Sequence, residues 1–313
     1  MDGEPARDHA FVDVWFRLAK LNVHGRASTI RRRMSDLEAL LLGIVQGLTE
    51  FLPISSSGHL ILVPWLQHYH FLENNESFNK TFDVALHAGT LLAVVLYFRV
   101  EISRLLAALW RSLRARAIAG SEERLAWAIV VATIPAVIAG GVGESFIEDH
   151  LGEPWQIAIL LIVFGLLLGV ADRQPERERL EQVDLRQGLY VGLAQVLALA
   201  PGVSRSGITI TAGRFLGLDR DSAARFSFLL LAPVTAGAVV YKGFKAVSEG
   251  LPHGVAGPMI VGTLAAAISG YLAIAGLLAL VRRHSYDVFV VYRVLVGVAV
   301  LLLIATGAYS ATF

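Results

Sequence analysis

One 17-residue pattern occurs twice in this chain: GIVQGLTEFLPISSSGH from Gly43 to His59, and GLAQVLALAPGVSRSGI from Gly192 to Ile208. Gly43, Gln46, Leu48, Ser55, Ser57 and Gly58 recur 149 positions later as Gly192, Gln195, Leu197, Ser204, Ser206 and Gly207. Each copy is an apolar stretch stopped by a proline and followed by hydroxyl-bearing residues. Proline ends a helix by removing an amide donor, and lipid tolerates the backbone groups left over only where they line a polar cavity or are buried in protein. Interrupted apolar segments at matching positions of two halves point to a binding site at the interface of repeats.

Composition places those segments in a membrane. Hydrophobic residues make up 55% of the 313 positions and the mean hydropathy is +0.59, whereas soluble domains run at about 45–50% apolar. The 27 basic and 26 acidic residues nearly cancel and crowd into short stretches between apolar runs, so nucleic acid is not an expected partner. There is no cysteine, which excludes disulfides, thiol catalysis and thiolate metal sites.

Apolar runs near 81–99, 126–143, 155–171, 224–241, 257–281 and 287–311 are long enough to span or nearly span a bilayer. The expected fold is an all-α polytopic membrane protein with six transmembrane helices and two re-entrant broken-helix segments. Repeat 1 covers 34–171, with its broken segment at 36–65, and repeat 2 covers 172–313, with its broken segment at 188–220. Three spans per repeat turn the second copy upside down, giving an inverted repeat. Residues 1–33 lack the apolar core of a signal peptide and are expected to lie outside the fold, with Ser35 or Asp36 capping the first helix.

Arginine sets the orientation. Arg99, Arg104, Arg111, Arg114, Arg116 and Arg124 crowd one connection, Arg173, Arg177, Arg179 and Arg186 a second, and Arg282 and Arg283 a third. The positive-inside rule puts these three on the inner side. The broken segments then dip toward each other from opposite faces.

Several residues in the broken segments can carry chemistry. Gln46 and Glu50 are four apart and share a helix face, and a carboxylate at membrane depth is usually functional. Ser56 and His59, three apart, can face one cavity with the second half-helix beginning near His59. Arg205 sits among Ser204, Ser206, Gly207 and Thr209 at the start of a half-helix, where a guanidinium fork, hydroxyls and free amides suit an anionic oxygen cluster such as phosphate. The whole set fits phosphoryl transfer. Asp83 and His87 could line the entrance or serve as caps, and Arg225 and Arg293 read as snorkelling anchors or intra-bundle ion pairs.

EFLPISSSGHL and PGVSRSGITITAGRFLGLDRDSAARFSFLLLAP resemble the two signature regions of the bacterial undecaprenyl pyrophosphate phosphatase family, also called the bacitracin resistance family. The similarity runs from about Met34 to the C-terminus. It implies an enzyme of the bacterial cytoplasmic (inner) membrane that removes the terminal phosphate of a polyprenyl pyrophosphate lipid at the outer face and regenerates the carrier used in cell-wall synthesis. It also implies a divalent cation, Mg²⁺ or Ca²⁺. Carried over by position, the acidic motif falls on Gln46 and Glu50, the serine and histidine on Ser56 and His59, and the arginine motif on Ser204, Arg205, Ser206 and Thr209. Gln46 stands where some members have Glu, leaving Glu50 as the carboxylate available to a metal, with Gln46 beside it.

The expected mechanism is in-line attack by Ser56, by water or by a histidine, with His59 moving the proton, Glu50 orienting metal or water, and Ser55, Ser57, Ser204, Arg205, Ser206 and Thr209 holding the diphosphate. A transporter is the rival reading, since facing broken helices are also transporter architecture. The sequence allows a homodimer without deciding it.

Overall fold

The computed structural model describes residues 34–67, 76–249 and 256–312; the expectation for residues 1–33 lies outside them. Among the described residues the fold is all helical apart from a single bridge between Glu178 and Leu218. The helices are α1 (Asp36–Phe51), α2 (Ser56–Gln67), α3 (Glu76–Tyr97), α4 (Arg99–Ala115), α5 (Ser121–His150), α6 (Pro154–Asp172), α7 (Leu185–Val196), α8 (Arg205–Phe215), α9 (Arg220–Glu249), α10 (Ala256–Val281) and α11 (Asp287–Ala305).

Five of the six expected spans are long and apolar enough to cross a membrane: Ser121–Gly143, Pro154–Asp172, Arg220–Phe244, Ala256–Val281 and Asp287–Ala305. The sixth is Thr81–Tyr97, a shorter apolar stretch within α3. The chain is a polytopic, all-α membrane protein. Most of the arginine-rich connection at 99–124 is itself a helix, α4.

The duplication is visible in local structure. Ser35 and Glu38 form a reciprocal capping box at the start of α1, and Asp184 and Gln187, each 149 positions on, form the same box at the start of α7. Gly43 brings α1 onto α10, where an added Cβ would lie 2.4 Å from the Gly262 carbonyl oxygen. Its counterpart Gly192 brings α7 onto α5, 2.5 Å from the Ala132 carbonyl oxygen by the same measure. Each first half-helix therefore leans on a long apolar helix from the other half of the chain.

The three arginine-rich connections meet on one face of the bundle. Asp172 accepts from Arg220 Nε at 2.6 Å and from the Tyr286 amide at 3.0 Å, with Arg214 Nε at 3.6 Å. Asp221 joins Arg225 at 2.7 Å and Arg282 at 2.8 Å, and Arg225 also reaches Glu101 at 3.5 Å. The ion-pair reading of Arg225 thus holds. From this face α8 runs inward to Arg205, and its 11 residues rise about 16 Å, half of a hydrocarbon layer roughly 30 Å thick.

The far end of α2 sits at the opposite end of α11, where Trp65 packs on Tyr309 at 4.7 Å and Tyr309 donates to the Leu66 carbonyl. The two second half-helices therefore approach each other from opposite ends of α11.

Candidate active site

The breaks before α2 and α8 have the same backbone solution. Ser55 and Ser204 adopt left-handed conformations, φ 78° and 75°, which are unfavourable for a residue with a Cβ. Each hydroxyl compensates by capping its own helix: Ser55 Oγ accepts from the Gly58 amide at 3.3 Å and Ser204 Oγ from the Gly207 amide at 3.1 Å. The loops are also tied to each other. The Gly202 amide donates to Ser55 Oγ at 3.1 Å, and Ser206 Oγ donates to the Leu52 carbonyl at 3.0 Å.

The N-termini of α2 and α8 consequently point their positive dipole ends at one place. There Glu50, on the last turn of α1 and buried, is the hub. One carboxylate oxygen pairs with Arg205; the other accepts from Ser56 Oγ at 2.5 Å and from Gln46 Nε2 at 3.2 Å. Arg205 Nη1 also donates to Thr235 Oγ1 on α9 at 3.1 Å. The guanidinium is part-exposed, so it can turn to a ligand.

Gln46 presents one further feature. Its Nε2 is committed to the carboxylate, while Oε1 is buried and has no partner. An amide oxygen left over beside a carboxylate is a donor pair suited to a hard cation completed by substrate oxygens and water. Among the described residues no cluster of three or more His, Cys, Asp or Glu could hold a metal by itself.

His59 is buried and engaged at both ring nitrogens. Nδ1 lies 2.7 Å from the Ser55 carbonyl and Nε2 lies 2.7 Å from the Tyr292 hydroxyl. A carbonyl only accepts, so Nδ1 carries the proton and Nε2 receives the tyrosine hydroxyl. The Ser56 hydroxyl, three residues away, bonds to Glu50 instead.

Of the residues expected to hold phosphate, Ser57 and Arg205 remain accessible. Ser55, Ser204, Ser206 and Thr209 are buried. Their hydroxyls cap helices, join loops or, for Thr209, meet Ser227 Oγ at 2.7 Å. The same small polar side chains that suit a ligand also suit the turn geometry they adopt here.

The residue that sequence reasoning missed is Arg293, since it neither snorkels nor pairs with a carboxylate. It is fully buried in α11, and its guanidinium donates to carbonyls of both loops: Pro53 at 3.2 Å, Gly202 at 2.9 Å and Val203 at 2.9 Å. Nε adds Leu161 of α6 at 3.1 Å. Its neighbour Tyr292 holds His59, so one turn of α11 carries both supports. An arginine inside an apolar span was the available signal, since such a charge needs built partners.

The fold and site define a polytopic membrane protein with a part-buried arginine–carboxylate–serine centre assembled between two broken helices. The family model for the bacitracin resistance protein BacA matches residues 39–299, and the chain belongs to that family. It is similar to the undecaprenyl-diphosphatase of Geobacter sulfurreducens, with 52% identity over 270 residues, covering 86% of this chain and 98% of the relative. It is also similar to the undecaprenyl-diphosphatases of Gemmatimonas aurantiaca, at 48% identity over 87% of this chain and 99% of the relative, and of Thermomicrobium roseum, at 46% over 87% and 99%.

Proposed function

We propose that this protein hydrolyses undecaprenyl diphosphate to undecaprenyl phosphate and inorganic phosphate, returning the lipid carrier to cell-wall synthesis and conferring bacitracin resistance. The carrying observation is the Ser56–Glu50–Arg205 constellation, which joins an activated hydroxyl to an anion clamp at the meeting of two helix N-termini. The names of the relatives point to the same chemistry.

In the proposed reaction the diphosphate draws Arg205 toward its oxygens and leaves Glu50 as the base for Ser56. Ser56 Oγ bonds to the terminal phosphorus, its proton passes to Glu50, and the bond to the bridging oxygen breaks to release undecaprenyl phosphate. Water then cleaves the phosphoserine and restores the hydroxyl. Arg205 offsets the charge developing on the phosphoryl oxygens. His59, held by Ser55 and Tyr292, fixes the first turn of α2 so that Ser56 faces Glu50. Gln46 Oε1 and Glu50 would hold a divalent cation, Mg²⁺ or Ca²⁺, which neutralises diphosphate charge when bound.

The setting is the bacterial cytoplasmic membrane, with the arginine-rich face inside and the site serving the outer leaflet, where the spent carrier accumulates. The second repeat is then inverted with respect to the first. The decisive experiment is phosphate release from a polyprenyl diphosphate by detergent-solubilised protein, with and without chelator, for wild type and Ser56→Ala. Release lost in the variant supports the reading. A transporter would release no phosphate from either protein, which would overturn it.

A further inference from the structure

We infer that α4 is an interfacial anchor that lies in the headgroup layer of the membrane and binds anionic glycerophospholipid. The 17 residues of α4 carry four arginines and a glutamate, so the helix cannot cross a bilayer. It follows the apolar stretch of α3 directly and leads into the span in α5, which holds it at one membrane surface.

At about 100° per residue, α4 divides into three faces. One packs on the bundle: Ala108 and Ser112 are buried, and Trp127 Nε1 of α5 donates to Ser112 Oγ at 2.9 Å. A second, well away from that contact, is an apolar stripe at i, i+4 and i+7, with Leu106 62%, Trp110 61% and Leu113 51% exposed. The third is basic, formed by Arg104, Arg111 and Arg114, with Arg116 at the C-cap.

An exposed apolar stripe on a helix this charged has no role in water, and its neighbouring basic face sets the partner's charge. Arg111 is paired with Glu122 at 3.2 Å and Arg114 lies 6.0 Å over the Trp110 ring, but Arg104 and Arg116 meet no carboxylate among the described residues. Lipid phosphate matches them: an arginine fork takes two phosphate oxygens while Leu106, Trp110 and Leu113 enter the acyl boundary beneath. The inference is independent of the catalytic reading.

Two measurements test it on the full chain in nanodiscs. Because the chain has no cysteine, Leu106→Cys and Ala119→Cys each give a single nitroxide site. The label at 106 is expected about 5–10 Å below the headgroups, relaxed by oxygen and shielded from an aqueous nickel chelate, with the label at 119 open to the chelate. An aqueous label at 106 would overturn the membrane contact, and one shielded from both reagents would mean that a protein covers the face.

The second measurement compares binding of spin-labelled phosphatidylglycerol and phosphatidylcholine. Wild type is expected to prefer phosphatidylglycerol, and Arg104→Gln or Arg116→Gln to lower that preference about fivefold each, the equivalent of about 1 kcal/mol. Phosphate release in detergent should be unchanged, because neither side chain touches the site. Equal preference in wild type and variants would overturn the anionic-lipid assignment even if the label at 106 is buried.

Discussion

Ser56 Oγ donates to Glu50 Oε2 at 2.5 Å while Arg205 occupies the other oxygen of the same carboxylate. Glu50 thus joins the nucleophile proposed in the first broken segment to the anion clamp proposed in the second. Such an arrangement points the hydroxyl proton at the carboxylate. Glu50→Gln is expected to lower phosphate release by about 10²–10⁴-fold, the usual contribution of a general base. The double variant with Ser56→Ala should be no worse than Ser56→Ala alone, since the two act as a unit. Additive losses in single-turnover assays would place the base elsewhere.

Arg205 also donates to Thr235, so its fork is used as a fork. Arg205→Lys should fail to rescue the activity lost in Arg205→Ala, both falling by about 10²–10³-fold, because a single ammonium cannot hold two oxygens bidentately. A lysine variant with near-normal turnover would mean that only charge is needed.

Tyr292 engages the His59 nitrogen that a histidine nucleophile would use. Tyr292→Phe removes one hydrogen bond of about 1–1.5 kcal/mol and should lower kcat about tenfold while leaving the protein folded. A phosphoenzyme trapped in acid should carry its phosphate on Ser56. Acid-labile phosphate at His59, rising in the Tyr292 variant, would reverse these roles.

Arg293→Met should be the most damaging change outside the reacting groups. It leaves the Pro53, Gly202 and Val203 carbonyls without their donor in a buried place. A loss of about 3 kcal/mol or more is expected, since each buried carbonyl left unpaired costs about 1–3 kcal/mol, visible as a large drop in the thermal midpoint of the detergent-solubilised protein. Wild-type stability in this variant would show that the loops hold each other unaided.

The parts of this molecule that were legible in its sequence are those set by short-range chemistry. The prolines, the serines, the Ser35 cap and the apolar runs announce where helices start, break and span. The face shared by Gln46 and Glu50 follows from helical spacing alone. The contacts of His59 and Arg293 depend on elements far away in the chain, and that of Ser56 on how the chain turns back across the break, so residue type alone did not settle them. Ser56 and His59 looked like partners because they are three apart, yet Glu50 and Tyr292 supply the nearer groups. The buried serines show the same limit, because a hydroxyl that caps a strained turn cannot be told from one that greets a ligand. α4 was missed because its arginines drew attention to sidedness and away from its periodicity.

Arg293 grips both loops by main-chain oxygens alone. Every amino acid offers that same oxygen, so substitution within either loop leaves the grip intact as long as the turn is kept. A duplicated pair of loops fastened in this way is free to diverge in side chains. One copy could come to hold Ser56 and His59 and the other Arg205 without either change loosening the joint between them.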